Sequence, residues 1–170
     1  MLQLSAEGLI IYPNSVKIRE LPEISKEIFN TEKEGVKMGV ITQDMKDIAA
    51  KTMVYILATS SKGGKPNGVP IGIVRIKDDE VVLADNFMLK TRQNLEENPI
   101  AAVSYWSGED HYGYQLKGKT RIETSGEYYN EIARGMEERK VPFKPKAVVV
   151  LTVEEAYYVG GSKDSSENLL

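Results

Sequence analysis

Two adjacent residues that could bind an anion, Lys90 and Thr91, lie in the segment ADNFMLKTRQN at residues 84–94. Here a strand-like pattern gives way to a helix-like one, and the first backbone N–H groups of a helix are unpaired and partly positive. Together with the Lys90 ammonium and the Thr91 hydroxyl, such N–H groups suit a phosphate monoester. The same residues also fit a solvated lysine followed by a threonine that only caps the helix. From these residues alone, both interpretations remain open.

Side chains that carry other common chemistries are scarce. The chain has no cysteine, which excludes disulfides, a thiolate nucleophile and cysteine-ligated metals. Its single histidine, His111, lies in the polar segment GEDHYG, which is typical of an exposed loop. The neighbouring Glu109 and Asp110 lack the spacing that sets metal coordination geometry. We therefore expect no metal site, and the catalytic residues stay unknown.

The composition is that of one globular domain. The chain has 170 residues and a mass of 19.0 kDa, with 41% hydrophobic residues, 28% charged residues and a formal net charge of -3. A chain of this size can bury a core, and it lacks the basic excess typical of nucleic-acid binding. No signal peptide or membrane span is visible. We therefore expect a cytoplasmic protein that binds neither nucleic acid nor membrane.

Most of the chain consists of short segments rich in β-branched and aromatic residues, which favour strands. The predicted strands are MVYILATSS, VPIGIVRIK, VVLAD, IAAVSYWS, YGYQLKGKTRIET and AVVVLTV. Short helices are predicted at MKDIAAK, capped by Asp44, at TRQNLEEN before Pro99, and after Gly126, where Ile132 and Met136 recur at helical spacing. Because strands and helices do not alternate regularly, the pattern favours a closed or partly closed antiparallel barrel over a parallel sheet.

Three regions are predicted along the chain. Residues 1–50 form an N-terminal extension packed on the barrel, residues 51–159 form the barrel, and residues 160–170 form a polar tail that is mobile unless a partner holds it. Residues 147–153 lack a polar face, so this strand must be covered on both sides. The barrel interior supplies one cover, and a helix or a second subunit supplies the other.

The order of these segments resembles the FMN-binding split-barrel family, which includes pyridoxamine 5'-phosphate oxidase and the small FMN-binding proteins of anaerobic bacteria. The resemblance covers roughly residues 53–159. It is carried by ILATSSKGGKPNGVP with the strand after it, VVLADNFMLKTRQNLEENP, YGYQLKGKTRIE and AVVVLTV. It implies a mainly β, α+β fold, namely a six-stranded antiparallel split barrel with two or three short helices and an N-terminal extension.

The resemblance also implies FMN as the cofactor and suggests which residues contact it. Lys90 and Thr91 would hold the phosphate, while Asp85 would face the ribityl hydroxyls or contribute backbone atoms. The remaining candidate cofactor-binding residues are expected along the ring and ribityl chain, and they are Pro70, Ile71, Gly72, Ile73, Asn86, Phe87 and Trp106. The arginine and histidine that hold pyridoxal in the oxidase have no counterpart after Val159, so oxidation of vitamin B6 is not expected.

The function that the resemblance implies is hydride or electron transfer by a homodimeric FMN-dependent oxidoreductase of unknown substrate or redox partner. Two alternatives stay open. One is a non-catalytic flavin-binding electron carrier, and the other is the same fold with the deazaflavin F420 or heme in place of FMN. Because flavin chemistry belongs to the cofactor, the lack of an obvious catalytic set of side chains does not exclude an enzyme.

Overall fold

The computed structural model describes residues 40–77, 79–160 and 168–170. The predicted N-terminal extension therefore lies outside the described residues up to residue 39. Residues 161–167 of the predicted tail lie outside them as well.

Seven strands form one antiparallel sheet. They are β1 (Tyr55–Ser60), β2 (Pro66–Ile71), β3 (Val74–Ile76), β4 (Glu80–Asp85), β5 (Ile100–Ser107), β6 (Tyr112–Glu123) and β7 (Ala147–Val159). Their order across the sheet is β2-β1-β5-β6-β7-β4-β3. The two outermost strands, β2 and β3, are consecutive in the chain and are joined only by Gly72 and Ile73. The sheet therefore curls until its two edges lie side by side, which gives the predicted split barrel.

The predicted number of six strands is wrong, because VPIGIVRIK forms two strands. Before Gly72 the segment pairs with β1, and after Ile73 it pairs with β4. The Ile73 carbonyl accepts a hydrogen bond from Ala84 N at 3.0 Å as the chain changes partners. The first of the two strands also begins at Pro66, within the stretch KGGKPNG that was predicted to be a loop.

Three helices pack on this sheet: α1 (Gln43–Ala50), α2 (Lys90–Glu97) and α3 (Glu127–Glu138). Thr42, and not Asp44, caps α1, because Thr42 Oγ1 accepts the N–H of Met45 at 3.3 Å. Asp44 instead accepts hydrogen bonds from the hydroxyls of Tyr112 and Tyr114, which tie the helix to β6. Among the described residues, no helix is both long and apolar enough to cross a membrane.

Strand β7 is covered on both faces, as predicted. Val149 and Leu151 belong to the barrel interior, together with Leu57, Val103 and Leu116. The other face of β7 belongs to a second apolar cluster of Val82, Ala84, Ile132, Met136, Val148 and Val150. The second cover is thus α3 of the same chain, because its buried residues are Ile132 and Met136.

The last residues of the chain are attached to β7. Strand β4 pairs with β7 only as far as Thr152, so the following part of β7 has an open edge on that side. Leu169 N donates to the Ala156 carbonyl at 2.8 Å, and Ala156 N donates to Asn168 Oδ1 at 3.0 Å. Leu169 also packs against the barrel core. Residues 168 and 169 of the tail are therefore held by the chain itself.

Candidate functional site

A cavity of about 450 Å³ opens beside the link between β2 and β3. Its walls come from β2, from the end of β4 and the segment after it, and from the first residues of α2. The lining residues are Asn67, Val69, Pro70, Ile71, Gly72, Ile73, Ala84, Asn86, Phe87, Met88, Leu89, Lys90 and Thr91. The break in the strand at Gly72 and the start of α2 at Lys90 thus face one volume.

Eight of the residues proposed from the sequence line this cavity: Pro70, Ile71, Gly72, Ile73, Asn86, Phe87, Lys90 and Thr91. A Cβ atom at Gly72 would meet no heavy atom within 4 Å, which means that the backbone there borders open space. A ligand could therefore approach this backbone closely. Asp85 and Trp106 are not among the lining residues.

One end of the cavity is rich in hydrogen-bond donors. Helix α2 begins at Lys90, and its N-cap residue, Leu89, makes no side-chain capping hydrogen bond. Lys90 is exposed at the lining, whereas Thr91 lies in the first turn and is only 2% exposed. Because the cap residue is Leu89, the interpretation of Thr91 as a helix cap is wrong. The helix start, the Lys90 ammonium and the Thr91 hydroxyl all suit an anion.

The other polar feature of the lining is an acceptor. Asn86 Oδ1 is buried and has no hydrogen-bond partner, a condition it shares, within the part of the chain the structure describes, only with Thr120 Oγ1. An unpaired buried acceptor costs free energy, and native proteins usually satisfy such atoms. Since Asn86 lines the cavity, a ligand with an N–H or O–H group could supply the missing donor.

Asp85 has a different position from the one expected, because its side chain is turned into the protein and is 1% exposed. Its carboxylate accepts hydrogen bonds from Arg92 Nη1 at 2.8 Å and from Met88 N at 3.0 Å. The hydrogen bond to Asp85, followed by that to Glu96, raises the pKa of Arg92. Its backbone carbonyl also accepts Lys146 N at 2.9 Å. Asp85 thus shapes the segment 86–89, and Arg92 offsets its charge beside the anion-binding end.

Trp106 lies on the outer face of the sheet and is 44% exposed. Its neighbour Tyr105 points into the barrel interior. The pairing of Ile56 with Ser104 brings Val54 and Ile56 close to Trp106 on the same outer face, and all three are exposed. We call Val54, Ile56 and Trp106 the outer apolar face.

Large apolar side chains also stand at the rim of the cavity. Phe87 is 72% exposed and Leu89 is 77% exposed. The Phe87 ring meets the Phe143 ring edge-on with centroids 5.1 Å apart, and Lys146 Nζ lies 6.0 Å from the Phe87 centroid. The rim is therefore aromatic and carries a positive charge.

Five lining residues were not proposed from the sequence, and they are Asn67, Val69, Ala84, Met88 and Leu89. Asn67 is the most informative of them, because it was assigned to a loop. A hairpin signal was available at Gly63-Gly64, and counting outward from that turn pairs Asn67 with Thr59, as the structure does. The start of a strand at Pro66 hid this signal, since proline is uncommon inside strands.

The loop around His111 is remote from this lining. His111 has a positive φ of 61°, and the Asp110 carboxylate contacts Lys51 Nζ at 2.9 Å. A hydrogen bond from Ser107 and the nearby Lys51 lower the pKa of Asp110. In the described ranges, no group of three or more histidine, cysteine, aspartate or glutamate residues is arranged to hold a metal.

A sheet closed through a two-residue link, with a cavity at that link, defines the chain as a split β-barrel protein. The sequence profile of the pyridoxamine 5'-phosphate oxidase family matches residues 41–160, and the chain belongs to this family, which includes FMN-binding split barrels. An uncharacterised protein of Methanocaldococcus jannaschii is 34% identical over 131 residues, which cover 75% of this chain and 86% of the relative.

Solved structures agree with the fold. HupZ of Group A Streptococcus is 28% identical, with a TM-score of 0.66 over 75% of this chain and 100% of HupZ. An FMN-binding protein of Syntrophomonas wolfei is 19% identical, with a TM-score of 0.63 over 72% of this chain and 88% of that one. The heme storage protein HutZ of Vibrio cholerae is 15% identical, with a TM-score of 0.55 over 71% and 96%. The last two share the fold with this chain, and their different ligands leave the cofactor to be argued from the cavity.

Proposed function

We propose that this protein binds FMN in the cavity beside Gly72 and is a homodimeric, cytoplasmic flavoprotein that transfers hydride or electrons. The observation that carries the proposal is the polarity of the lining, with donors at the start of α2 and an unpaired acceptor at Asn86. FMN has an anionic phosphate at one end and, at the other, a ring with an N–H donor. The ligand and the cavity thus have matching polarity.

The phosphate would be held at the start of α2. Its negative charge would meet the first N–H groups of the helix, the Lys90 ammonium and the hydroxyl of Thr91. Charge-assisted hydrogen bonds of this kind are shorter and stronger than neutral ones. Because Arg92 pairs with the buried Asp85 at 2.8 Å, that carboxylate does not oppose an anion as a free charge.

The ring and ribityl chain would lie along β2 and the link after it. The open space at Gly72 allows a flat group to approach the backbone, and Asn86 Oδ1 would accept a hydrogen bond from the flavin. When bound, FMN supplies the redox chemistry at its ring, with N5 as the hydride-accepting atom. The protein would orient the ring, exclude water from one face and leave the rim at Phe87 open to a substrate or redox partner.

The homodimer is proposed from the outer apolar face. Val54, Ile56 and Trp106 are each exposed by 44% or more on the β1 and β5 side of the barrel, next to the strand β2 that lines the cavity. A contiguous exposed apolar surface is typical of an interface. Light scattering on the purified protein is expected to give about 38 kDa, twice the chain mass of 19.0 kDa. A flavin-loaded species of the single-chain mass on dilution would contradict the dimer.

Heme is the second candidate, because one protein of the same fold stores it. The cavity lining contains one side chain of a type that can ligate heme iron, the thioether of Met88, whereas His111 is not among the lining residues. The absence of an imidazole in the lining favours flavin. The alternatives of a deazaflavin and of a non-catalytic electron carrier use the same cavity and differ in chemistry.

The deciding experiment is to identify what the protein binds. The protein is purified and denatured, the mass of any released small molecule is measured, and the protein freed of it is titrated with FMN, riboflavin, F420 and heme. FMN is expected to bind most tightly. Preferential binding of heme or F420 would overturn the cofactor assignment. Turnover of a nicotinamide donor by the FMN-loaded protein would distinguish an enzyme from an electron carrier.

A further inference from the structure

A group of buried hydrogen bonds joins β1, β2 and α2 behind the anion-binding end of the cavity. Asn67 Nδ2 donates to Thr59 Oγ1 at 3.2 Å and to Thr91 Oγ1 at 3.0 Å. Asn94 Nδ2 donates to the same Thr59 oxygen at 3.1 Å. Thr59, Thr91 and Asn94 are all buried. Buried polar side chains are tolerated only when they are paired, so this network has a definite geometry.

The pairing restricts what the Thr91 hydroxyl can do. A hydroxyl has one proton to donate and two lone pairs that accept, and Asn67 already uses one lone pair. Asn67 is the only hydrogen-bond partner of Thr91 Oγ1 within residues 40–77, 79–160 and 168–170. The hydroxyl proton therefore has no acceptor there, although Thr91 is buried and lines the cavity. A negatively charged group in the cavity would supply the acceptor.

We infer that Asn67 is a positioning residue that makes Thr91 a hydrogen-bond donor to the phosphate and so sets the preference for FMN over unphosphorylated riboflavin. This inference rests on the proposed function. Asn67 suits the task because its amide nitrogen carries two protons, one for each threonine. An aspartate of the same shape would have no proton to donate to either of them.

The architecture explains why this residue must come from β2. Asn67 stands opposite Thr59 in the β1–β2 pairing, and α2 packs against both strands. The amide therefore bridges a strand residue and a helix residue that are 32 positions apart in the chain. In this way the hairpin holds the hydroxyl at the start of α2 in one orientation, which lowers the entropy that phosphate binding would otherwise cost.

A double-mutant cycle tests the inference. Affinities for FMN and riboflavin are measured by flavin fluorescence for the wild type, Asn67→Ala, Thr91→Val and the double variant. Each single change is expected to weaken FMN about tenfold, the size of one lost hydrogen bond to a charged group, and to alter riboflavin by less than about twofold. The double variant is expected to match Thr91→Val alone, because Asn67 acts through that hydroxyl. In a Thr91→Ser background, which keeps the hydroxyl, Asn67→Ala is expected to retain its effect.

Asn94→Ala is the matched control. It removes a buried amide that donates to the same Thr59 oxygen but does not contact Thr91. We expect a similar loss of thermal stability and an unchanged ratio of FMN to riboflavin affinity. If Asn67→Ala does not fold, Asn67→Ser replaces it, since serine keeps a small polar group on β2 but is too short to bridge both threonines.

Two results would overturn the inference while leaving the proposed function intact. Additive losses in the double variant would mean that Asn67 acts on the ligand independently of Thr91. Equal losses for FMN and riboflavin would mean that Asn67 only shapes the cavity. Failure of the wild type to bind FMN would overturn the proposed function and this inference together.

Discussion

The two helices α2 and α3 both pack on the sheet, but they bury different kinds of residue. Helix α3 buries Ile132 and Met136 against Val148 and Val150 of β7. Helix α2 is only eight residues long and buries Thr91 and Asn94 beside Leu95. Apolar burial is favourable by itself, whereas polar burial is costly unless each group is paired. The apolar helix therefore builds the core, and the polar helix marks the binding site.

The largest expected effect separates stability from binding on α3. Ile132→Ala should lower the free energy of unfolding by about 3 kcal/mol, because it leaves a cavity in a fully buried cluster. Affinity for FMN in the folded fraction should not change. Urea denaturation and flavin titration measure the two quantities, with Ile132→Val as a milder control. A loss of FMN affinity comparable to the loss of stability would mean that α3 also supports the site.

Gly72→Val tests the wall of the cavity opposite α2. A Cβ there meets no protein atom within 4 Å, so the valine would enter the cavity without a clash inside the protein. We expect FMN and riboflavin to weaken alike, by about 2 kcal/mol, the usual cost of overpacking. Gly68→Val, on the same strand but outside the cavity lining, is the control. Full flavin occupancy in Gly72→Val would contradict the proposed position of the ring.

Lys90→Ala removes a charge from α2 and should leave the fold intact, because Lys90 is exposed. FMN should weaken by about 1.5 to 2 kcal/mol, the contribution of a charge-assisted hydrogen bond to a phosphate. Riboflavin, which has no phosphate, should bind as before. Lys62→Ala removes the same charge from an exposed turn and serves as the control. Equal weakening of both flavins would remove Lys90 from the phosphate site.

The smallest effect is expected at Asn86, and it should have opposite signs in the free and bound protein. Asn86→Ala removes a buried acceptor that has no partner, so the ligand-free protein should keep its stability or gain slightly. FMN and riboflavin should both weaken by about 1 kcal/mol, since either would lose the same acceptor. Thermal unfolding without ligand and titration with both flavins measure these changes. If only FMN weakened, Asn86 would belong to the phosphate end.

How far sequence reasoning reached depends on the range of the interactions involved. The amphipathic pattern of α3, the end of α2 before Pro99 and the position of Lys90 at a helix start are local properties, and they were predicted correctly. The two apolar faces of β7 also correctly predicted two covers. The choice between a helix and a second subunit was not local, and α3 decided it. The proposed dimer therefore depends on the outer apolar face and not on β7.

The sequence by itself determined the elements of this protein, because strand and helix periodicity, turn residues and capping act between near neighbours. Only the tertiary structure decided how those elements meet. It divided VPIGIVRIK into β2 and β3, because the curl of the sheet makes the chain change partners at Gly72. It turned Asp85 inward, because Arg92 supplies a buried charge partner. It brought Asn67 within 3.0 Å of Thr91, a contact across 24 residues that no local pattern encodes.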